Sequence, residues 1–358
     1  MRVVSGQAGI ASAVERNAPV ATVGRMPDIV RRAHELADDV LFPAALHTDA
    51  ADLLPLSSLD ALAHQGFYGV AGPADAGGLD LDLPATYAVV EALAAGCLTT
   101  SFVWLQHRNP LRAVAGSPSP DLRDEWLAPL CRGERRAGIA LAGNRPGPPI
   151  LRASRKATGD VVLEGEAPWV SGWGRIDVLL VAARYDDTVV SVLMDATPGS
   201  TLEVEHLHLV GANASGTVTL RFRDHLVPAE RIVGEEAHAE VLGRDASGLR
   251  MNGSLALGVA SRCCRLMGPS ELDHELTAAR AQLDQAGVDE LPAARAHASE
   301  LAIRTAAALT VTQGSRSILL GQHAQRLARE ALFLLVFGTR APIREALLAR
   351  LGQRSSTG

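Results

Sequence analysis

The chain has few cysteines, a single lysine and no long uncharged hydrophobic run. Its four cysteines have neither metal-site spacing nor the spacing of a disulfide framework. Adjacent Cys263 and Cys264 on an apolar helix are most simply buried thiols. No signal-peptide core and no apolar run of about 18 residues is found, which predicts a cytoplasmic protein that does not contact a membrane.

Length and composition indicate a multidomain globular protein. The chain has 358 residues, of which 47% are hydrophobic and 21% are charged. This length predicts two or three domains, and this composition predicts a sizeable core. The net charge of -6 and the lack of a basic run argue against a nucleic-acid surface.

The first part of the chain is predicted to be helical. Residues 1–25 lack a clear period and are predicted to form a flexible N-terminal arm. Helical periodicity then defines an N-terminal helical domain at residues 26–135. Within it, Pro43 and Pro110 are each predicted to end a helix, because proline lacks the N–H that a helix interior requires.

The pattern changes twice along the rest of the chain. Residues 136–236 contain short runs of β-forming residues separated by Gly, Pro, Asp and Asn, which predicts a small central β-sandwich or barrel domain. Residues 237–358 are helical again and are predicted to form a C-terminal bundle. The fold class is therefore predicted to be α+β, with helices on both sides of a β domain.

A turn in the β region contains the chain's most distinctive pattern. Trp169 and Trp173 flank Ser171 and Gly172 in it, and an apolar run that reads as a buried strand follows. Two tryptophans around a small hydroxyl could stack on a planar cofactor and offer it a hydrogen bond. They could equally be a core pair on a β-hairpin.

Several weak motifs in a fixed order resemble those of the acyl-CoA dehydrogenase family. They cover about residues 28–236 and include Leu62…Gly66-Phe67-Tyr68-Gly69…Pro73…Gly77-Gly78-Leu79, Trp126-Leu127…Leu130…Gly133-Glu134, Gly159-Asp160…Gly165…Trp169-Val170-Ser171, and Leu209…Gly211…Ser215-Gly216-Thr217. The resemblance implies a flavoprotein with helical, β and four-helix-bundle domains. It also implies FAD as the cofactor.

Site residues carry over by position from this resemblance. Trp169 and Ser171 match residues that lie against the flavin ring, where the hydroxyl hydrogen-bonds the N5/O4 edge. Gly338 and Thr339 match a turn whose N–H groups face the cofactor. The full set implied to bind the cofactor is Leu141, Ala142, Gly147, Trp169, Val170, Ser171, Gly338 and Thr339.

The chain departs from the family pattern on the phosphate side of the cofactor. Ala142 lacks a hydroxyl and Pro148 lacks an N–H, so two usual flavin or pyrophosphate contacts are missing. Arg145 could donate to a phosphate instead, or could be an ordinary loop arginine. The segment after Met267 lacks the family motif whose arginine reaches the neighbouring subunit's FAD.

The sharpest departure concerns the catalytic base. The family's glutamate, which takes the substrate α-proton, is replaced by Phe337, and its alternative position falls at Met251 or Asn252. Glu330 is predicted to pair with Arg326 along a helix, and Glu345 is predicted to be exposed. Phe337 is expected to line an apolar substrate pocket. Arg250 and Arg340 are candidates for binding a CoA phosphate, although solvated arginines are the simpler interpretation.

The histidines give weaker signals. His107 is expected to pack between helices. His206 and His208 share one face of a predicted strand, and with no third ligand nearby in sequence they are expected to be solvated or packed. No metal site is predicted.

Three functions remain open at this point. The first is an FAD-dependent oxidoreductase acting on an acyl thioester, either acyl-CoA or a carrier-bound acyl group. The second is a flavin monooxygenase or oxidase, whose substrate needs no α-proton base. The third is a non-catalytic or half-site subunit of a heteromer. The resemblance implies a homodimer or homotetramer, or a heteromer with a related subunit.

Overall fold

The computed structural model describes residues 28–243 and 247–352, and the predicted arm at residues 1–25 lies outside them. The described chain begins with helices α1 Asp28–Leu36, α2 Phe42–Ala50, α3 Leu56–His64, α4 Leu83–Gly96, α5 Leu98–Gln106, α6 Arg108–Ala115 and α7 Pro120–Arg132. Strands β1 Ala137–Ala140, β2 Leu151–Arg155, β3 Val161–Val170, β4 Val178–Tyr185, β5 Thr188–Asp195, β6 Leu202–His206, β7 Val218–Val227 and β8 Ile232–Ala237 follow. Helices α8 His238–Gly243, α9 Ser247–Met267, α10 Glu271–Gln285, α11 Leu291–Gln313, α12 His323–Val336 and α13 Ala341–Gly352 complete it. This order confirms the predicted fold class.

Two prolines do not end helices where the sequence pattern predicted. The chain continues from α1 through a π-helical turn, Ala37–Leu41, directly into α2, so Pro43 lies in the first turn of α2. Pro110 similarly lies in the first turn of α6. In Pro110 the missing N–H belongs to a first turn, where it needs no partner within the helix. Pro43 instead directly follows the π-helical turn within a continuous helical run, and such turns interrupt the regular hydrogen-bond ladder.

The strands form one eight-stranded mixed sheet. Its order is β6-β7-β3-β2-β4-β5-β8, and β1 pairs in parallel with β4. Strand β4 is buried on both faces, because Leu179, Val181 and Ala183 face the core of the sheet whereas Val178 and Leu180 face helices α6 and α7. This double burial explains why the sequence of β4 is almost continuously apolar.

The N-terminal and C-terminal helices share one hydrophobic core. Side chains from α1, α4, α5, α9, α11 and α12 belong to a single buried cluster. Gly258 of α9 packs directly on the backbone of α4, where any Cβ would collide with the Glu91 carbonyl. The two helical regions therefore stabilise each other, and the sheet packs against the N-terminal helices α5, α6 and α7.

A buried ion pair confirms one sequence prediction in the helical core. Arg326 and Glu330, one turn apart on α12, pair at 2.5 Å with both side chains almost fully buried. Burial raises the pKa of the Glu330 carboxyl, whereas the Arg326 charge opposes this rise. Glu345 is exposed on α13, as predicted.

All four cysteines are free and buried, as expected for packed thiols. Among residues 28–243 and 247–352, no helix is long and apolar enough to cross a membrane. Over the same ranges, no cluster of three or more His, Cys, Asp or Glu side chains could hold a metal ion. The cytoplasmic location stays a prediction.

Candidate active site

The two tryptophans of the central turn have different environments. Trp173 is 6% exposed and packs in the core of the sheet, whereas Trp169 is 61% exposed at the end of β3. The backbone of Trp169 has φ +65°, and the pairing of β3 with β7 shifts register between Ala167 and Val170. A bulky residue in the left-handed region is strained, and such strain is concentrated at functional sites. The two rings therefore do not form a core pair.

Ser171 begins a short chain of buried hydroxyl groups. Its Oγ lies 2.7 Å from Thr217 Oγ1, which in turn lies 2.8 Å from Ser215 Oγ. The backbone on both sides is paired, because the Gly172 N–H donates to the Ser215 carbonyl at 2.8 Å and the Trp173 N–H donates to the Gly216 carbonyl at 3.1 Å. Val170 is buried and pairs with Val218. Ser171 is thus held rigidly at the end of β3.

Helix α5 connects this turn to the C-terminal helices. A Cβ at Gly172 would lie 3.4 Å from Val103 of α5. The neighbouring residue, Phe102, contacts Phe337 edge-on with ring centroids 4.8 Å apart, and it contacts Phe333 at 5.1 Å. The turn at Ser171 and the turn at Phe337 therefore both lie beside the middle of α5.

The turn after α12 is an aromatic surface with no acid. Phe337 stacks on Phe333 at 5.4 Å, and both rings are half-buried. Gly338 has φ +62°, a left-handed conformation that a glycine accepts without strain. The Thr339 hydroxyl donates to the Val336 carbonyl at 2.6 Å and closes the turn.

The positions that the sequence resemblance assigns to the base approach each other at this turn. A Cβ at Gly338 would lie 3.1 Å from Asn252 Nδ2 on α9. Met251 is buried in the helical core, and Asn252 is half-buried. Phe337, Met251 and Asn252 carry no group that can accept a proton from carbon near neutral pH.

The loop from Leu141 to Pro149 is held by a buried arginine. Arg184 of β4 donates to the Gly143 carbonyl at 3.0 Å and to the Arg145 carbonyl at 2.8 Å. Ala142 is buried, and Leu141 packs towards α6 and α7. Gly147, with φ +86°, is exposed, as are the side chains of Arg145 and Pro148.

The arginine candidates for substrate binding differ in their surroundings. Arg250 is buried and donates to Asp284 at 2.9 Å, and its guanidinium lies over the Tyr87 ring at 4.4 Å. These partners occupy the group that was expected to meet a CoA phosphate. Arg340 is exposed.

His107 is a packing residue, as predicted. Its Nδ1 accepts the Ala137 N–H at 3.0 Å, and its Nε2 lies 3.1 Å from the Leu130 carbonyl. Burial lowers its pKa to about 4, because the charged ring would be poorly solvated. His206 and His208 are exposed on the surface.

Sequence reasoning missed several residues that shape the site. Phe102 and Phe333 complete the aromatic surface, and Ser215 and Thr217 complete the hydroxyl chain. The sequence signal for Ser215 and Thr217 was the motif Ser215-Gly216-Thr217, in which two hydroxyl residues flank a glycine. Phe102 had no signal, because its contact with Phe337 is formed only when distant helices pack.

Known proteins resemble the chain in sequence and in fold. The family model of the acyl-CoA dehydrogenase N-terminal domain matches residues 27–134. The mitochondrial isobutyryl-CoA dehydrogenase of Bos taurus is 26% identical, over 85% of this chain and 76% of that protein. The short-chain specific acyl-CoA dehydrogenases of Homo sapiens and Bos taurus are each 25% identical and are matched over only 52% and 51% of their own length.

Two solved structures share the fold over nearly the whole chain. Butyryl-CoA dehydrogenase from Megasphaera elsdenii superposes with a TM-score of 0.78 at 17% identity, covering 92% of this chain and 98% of that one. Dibenzothiophene monooxygenase from Paenibacillus sp. A11-2 superposes with a TM-score of 0.73 at 18% identity, covering 91% and 97%. At these identities, the likeness establishes the fold only. Together with the matched domain and the sequence relatives, it shows that the chain resembles the acyl-CoA dehydrogenase family.

Proposed function

We propose that the protein is a flavin-dependent oxidoreductase that acts on an acyl thioester or a related apolar substrate without a carboxylate base. One observation carries this proposal: Gly338, next to Phe337, lies against Asn252, so the two implied base positions are close together, and Phe337, Met251 and Asn252 occupy them without a carboxylate. The site retains a surface for a cofactor ring but lacks a group to take an α-proton.

The residues around Trp169 suit a flavin ring. The exposed Trp169 ring offers a flat face, and Ser171 offers a hydroxyl that is fixed by its neighbours. Gly338 provides backbone that can be approached closely. FAD is the proposed flavin, although Ala142 and Pro148 provide less for its phosphates than the family pattern does. When bound, a flavin would supply a hydride acceptor or donor at its N5.

The chain's own side chains would bind and orient the reactants; in a dehydrogenation the hydride would pass to the flavin and the α-proton to solvent water, because no carboxylate of this turn would take it. Ser171 would donate a hydrogen bond at the edge of the ring, where charge changes during the reaction. Phe333 and Phe337 would form an apolar wall that excludes water from the opposite side. An apolar group of the substrate would pack on this wall.

Oxygenation or oxidation is the second candidate reaction. The aromatic surface of Phe102, Phe333 and Phe337 favours it, because a substrate that is attacked by activated oxygen does not have to lose an α-proton. The fold also accommodates such chemistry, since a monooxygenase is among its structural neighbours.

Assembly is a further part of the proposal. Apolar side chains at the end of α11 and just after it are strongly exposed in a single chain, namely Val311, Ile318, Leu319 and Leu320. Such a patch supports contact with another protein surface. We propose a homodimer or homotetramer. A heteromer in which this chain completes a partner's flavin site is the alternative, and light scattering of the purified protein would distinguish the two.

Flavin titration is the decisive experiment. The purified protein is titrated separately with FAD and FMN while its absorbance spectrum is recorded. We expect saturable binding with a perturbed flavin spectrum. Protein that stays colourless with excess FAD and FMN would contradict the proposal and would favour the partner-subunit role.

The loaded protein then separates the two reactions. Bleaching of the flavin by a panel of acyl-CoA thioesters without oxygen would support the first reaction. Oxygen uptake that depends on NADH or reduced flavin would support the second.

A further inference from the structure

Three buried hydroxyl groups form a continuous chain beneath the candidate flavin face. Ser171, Thr217 and Ser215 are each at most 4% exposed. Ser215 and Thr217 are two residues apart just before β7, whereas Ser171, just after β3, is brought to them by the fold. Thr217 lies in the middle, 2.7 Å from Ser171 Oγ and 2.8 Å from Ser215 Oγ.

The hydrogen bonds along the three hydroxyl groups can run in either of two directions. Each hydroxyl has one proton and can also accept. When Ser215 donates to Thr217 and Thr217 donates to Ser171, the Ser171 proton is free to point out of the chain. When the order reverses, Ser171 donates inward and its lone pairs are free to accept from outside. Rotation about the C–O bonds converts one order into the other without moving any heavy atom.

These two orders match the two redox states of a flavin edge. The N5 atom of an oxidised flavin accepts a hydrogen bond, whereas the N5–H of a reduced flavin donates one. We propose that Ser171, Thr217 and Ser215 form a reversible hydroxyl chain in which Thr217 is the positioning residue that sets Ser171 as a donor or an acceptor. This inference rests on the proposed function, because it requires the flavin to lie at Ser171.

The surroundings explain how such a chain would act in this protein. The aromatic turn at Phe337 provides no charge that could respond to reduction of the cofactor. A neutral chain of hydroxyls responds by reorientation, and the two internal hydrogen bonds, Ser171–Thr217 and Thr217–Ser215, are kept in either order. The paired backbones of Gly172 and Trp173 prevent Ser171 from moving away from Thr217.

The experiment uses Ser171→Ala, Thr217→Val, the double variant and the conservative Thr217→Ser. Thr305→Val is the matched control, because Thr305 is also buried but donates to the Ala302 carbonyl within α11. Flavin dissociation constants are measured for the oxidised and the reduced state. Thermal unfolding without flavin reports any purely structural effect.

We expect Ser171→Ala and Thr217→Val each to weaken flavin binding about threefold to tenfold, which corresponds to one lost hydrogen bond. The double variant should bind no worse than Ser171→Ala, since Thr217 acts through Ser171. The change should appear in both redox states. Thr217→Ser should restore binding, and Thr305→Val should bind as the unaltered protein does.

Two results would overturn the inference while leaving the proposed function intact. One is unaltered flavin binding by Thr217→Val, and the other is a double variant whose losses multiply. Failure of the unaltered protein to bind FAD or FMN would instead overturn the proposed function, and this inference with it.

Discussion

The backbone at Gly338 lies against the side chain of Asn252, so that the turn after α12 and the start of α9 meet at one point. A Cβ at position 338 would lie 3.1 Å from Asn252 Nδ2. A base contributed from either helix would therefore act in the same small space. This space contains an aromatic ring and an amide, and a single substitution is enough to place a carboxylate there.

Phe337→Glu is predicted to create α-proton exchange. The new carboxylate would lie beside Phe102 and Phe333, whose apolar surroundings would raise its pKa towards the range suited to a base. We expect deuterium incorporation from D2O into butyryl-CoA to rise by about 100-fold or more over the unaltered protein. Mass spectrometry measures this exchange.

The matched control for this substitution is Phe337→Gln. It has nearly the same shape as the glutamate variant but cannot accept the proton. Equal exchange by the Glu and Gln variants would show that the turn does not face an acyl thioester, and would favour the oxygenation reaction.

Truncation of the two tryptophans of the central turn should have very different effects on stability. Trp173→Ala is predicted to lower the free energy of unfolding by about 3–5 kcal/mol, because the ring fills the core of the sheet. Trp169→Ala should change it by about 0.5 kcal/mol or less, because that ring is mostly exposed. Urea unfolding measures both values.

Flavin titration tests whether Trp169 is part of the cofactor site. Trp169→Ala should weaken flavin binding while the protein stays folded. If Trp169→Ala bound FAD as tightly as the unaltered protein does, the ring would not be part of the cofactor site.

Local sequence patterns were sufficient to predict the order of the helical and β regions, but not where the prolines lie within helices. The change from a helical to an alternating period near Ala137 is a property of the sequence itself, and it survives in the structure. Pro43 was misinterpreted because a proline in a first turn and a proline beyond a helix end have the same local sequence. The difference is the π-helical turn before Pro43, whose Ala37 and Leu41 pack against Gly96.

Only those residues of the candidate site that belong to a sequence motif could be predicted from the sequence. Trp169 and Ser171 were identified from a motif, and the structure separates Trp169 from Trp173 through exposure, a quantity that the sequence does not contain. Phe102, Thr217 and the meeting of Gly338 with Asn252 depend on contacts between distant segments. Such contacts are set by tertiary packing, so neither periodicity nor spacing reveals them.

The free energy of unfolding should decrease as pH is lowered, because of His107. Its pKa is about 4 in the folded chain and about 6.5 when the chain is unfolded. Below pH 6.5 the unfolded state takes up a proton that the folded state does not, so the contribution to stability is complete above pH 6.5 and is lost as pH falls towards 4. The loss at pH 5 is on the order of 2 kcal/mol.

His107→Gln should remove this part of the pH dependence. Denaturant unfolding at pH 7 and pH 5 measures the difference between the variant and the unaltered protein. His206→Gln is the control, because His206 is exposed and should leave the pH dependence unchanged. A His107→Gln variant with the same loss between pH 7 and pH 5 would show that this histidine is not the responsible group.

The last prediction concerns the link between α12 and the loop that carries the hydroxyl chain. Arg329 pairs with Asp49 of α2 and donates to the Val210 carbonyl at 3.0 Å. Gly211 packs directly on the Arg329 backbone, where any Cβ would collide with its carbonyl. The loop that these contacts hold continues to Ser215. Arg329 therefore joins the helix that ends at Phe337 to the other side of the candidate site.

Arg329→Met is predicted to lower the free energy of unfolding by about 1–3 kcal/mol, because it leaves the mostly buried Asp49 carboxylate unpaired. It should also weaken flavin binding, since the loop would no longer hold Ser215 against Thr217. Adding Asp49→Asn should cost less than the sum of the two single changes, with a coupling of about 0.5–3 kcal/mol.

The control for this pair is Arg31→Met with Glu35→Gln, which removes an exposed ion pair on α1 and should leave the free energy of unfolding almost unchanged. Urea unfolding and flavin titration are run on all of these variants. Additive losses for Arg329 and Asp49 would show that the two side chains act separately. A destabilised Arg329→Met variant with unchanged flavin affinity would limit the role of Arg329 to stability, because the loop would then hold the hydroxyl chain without it.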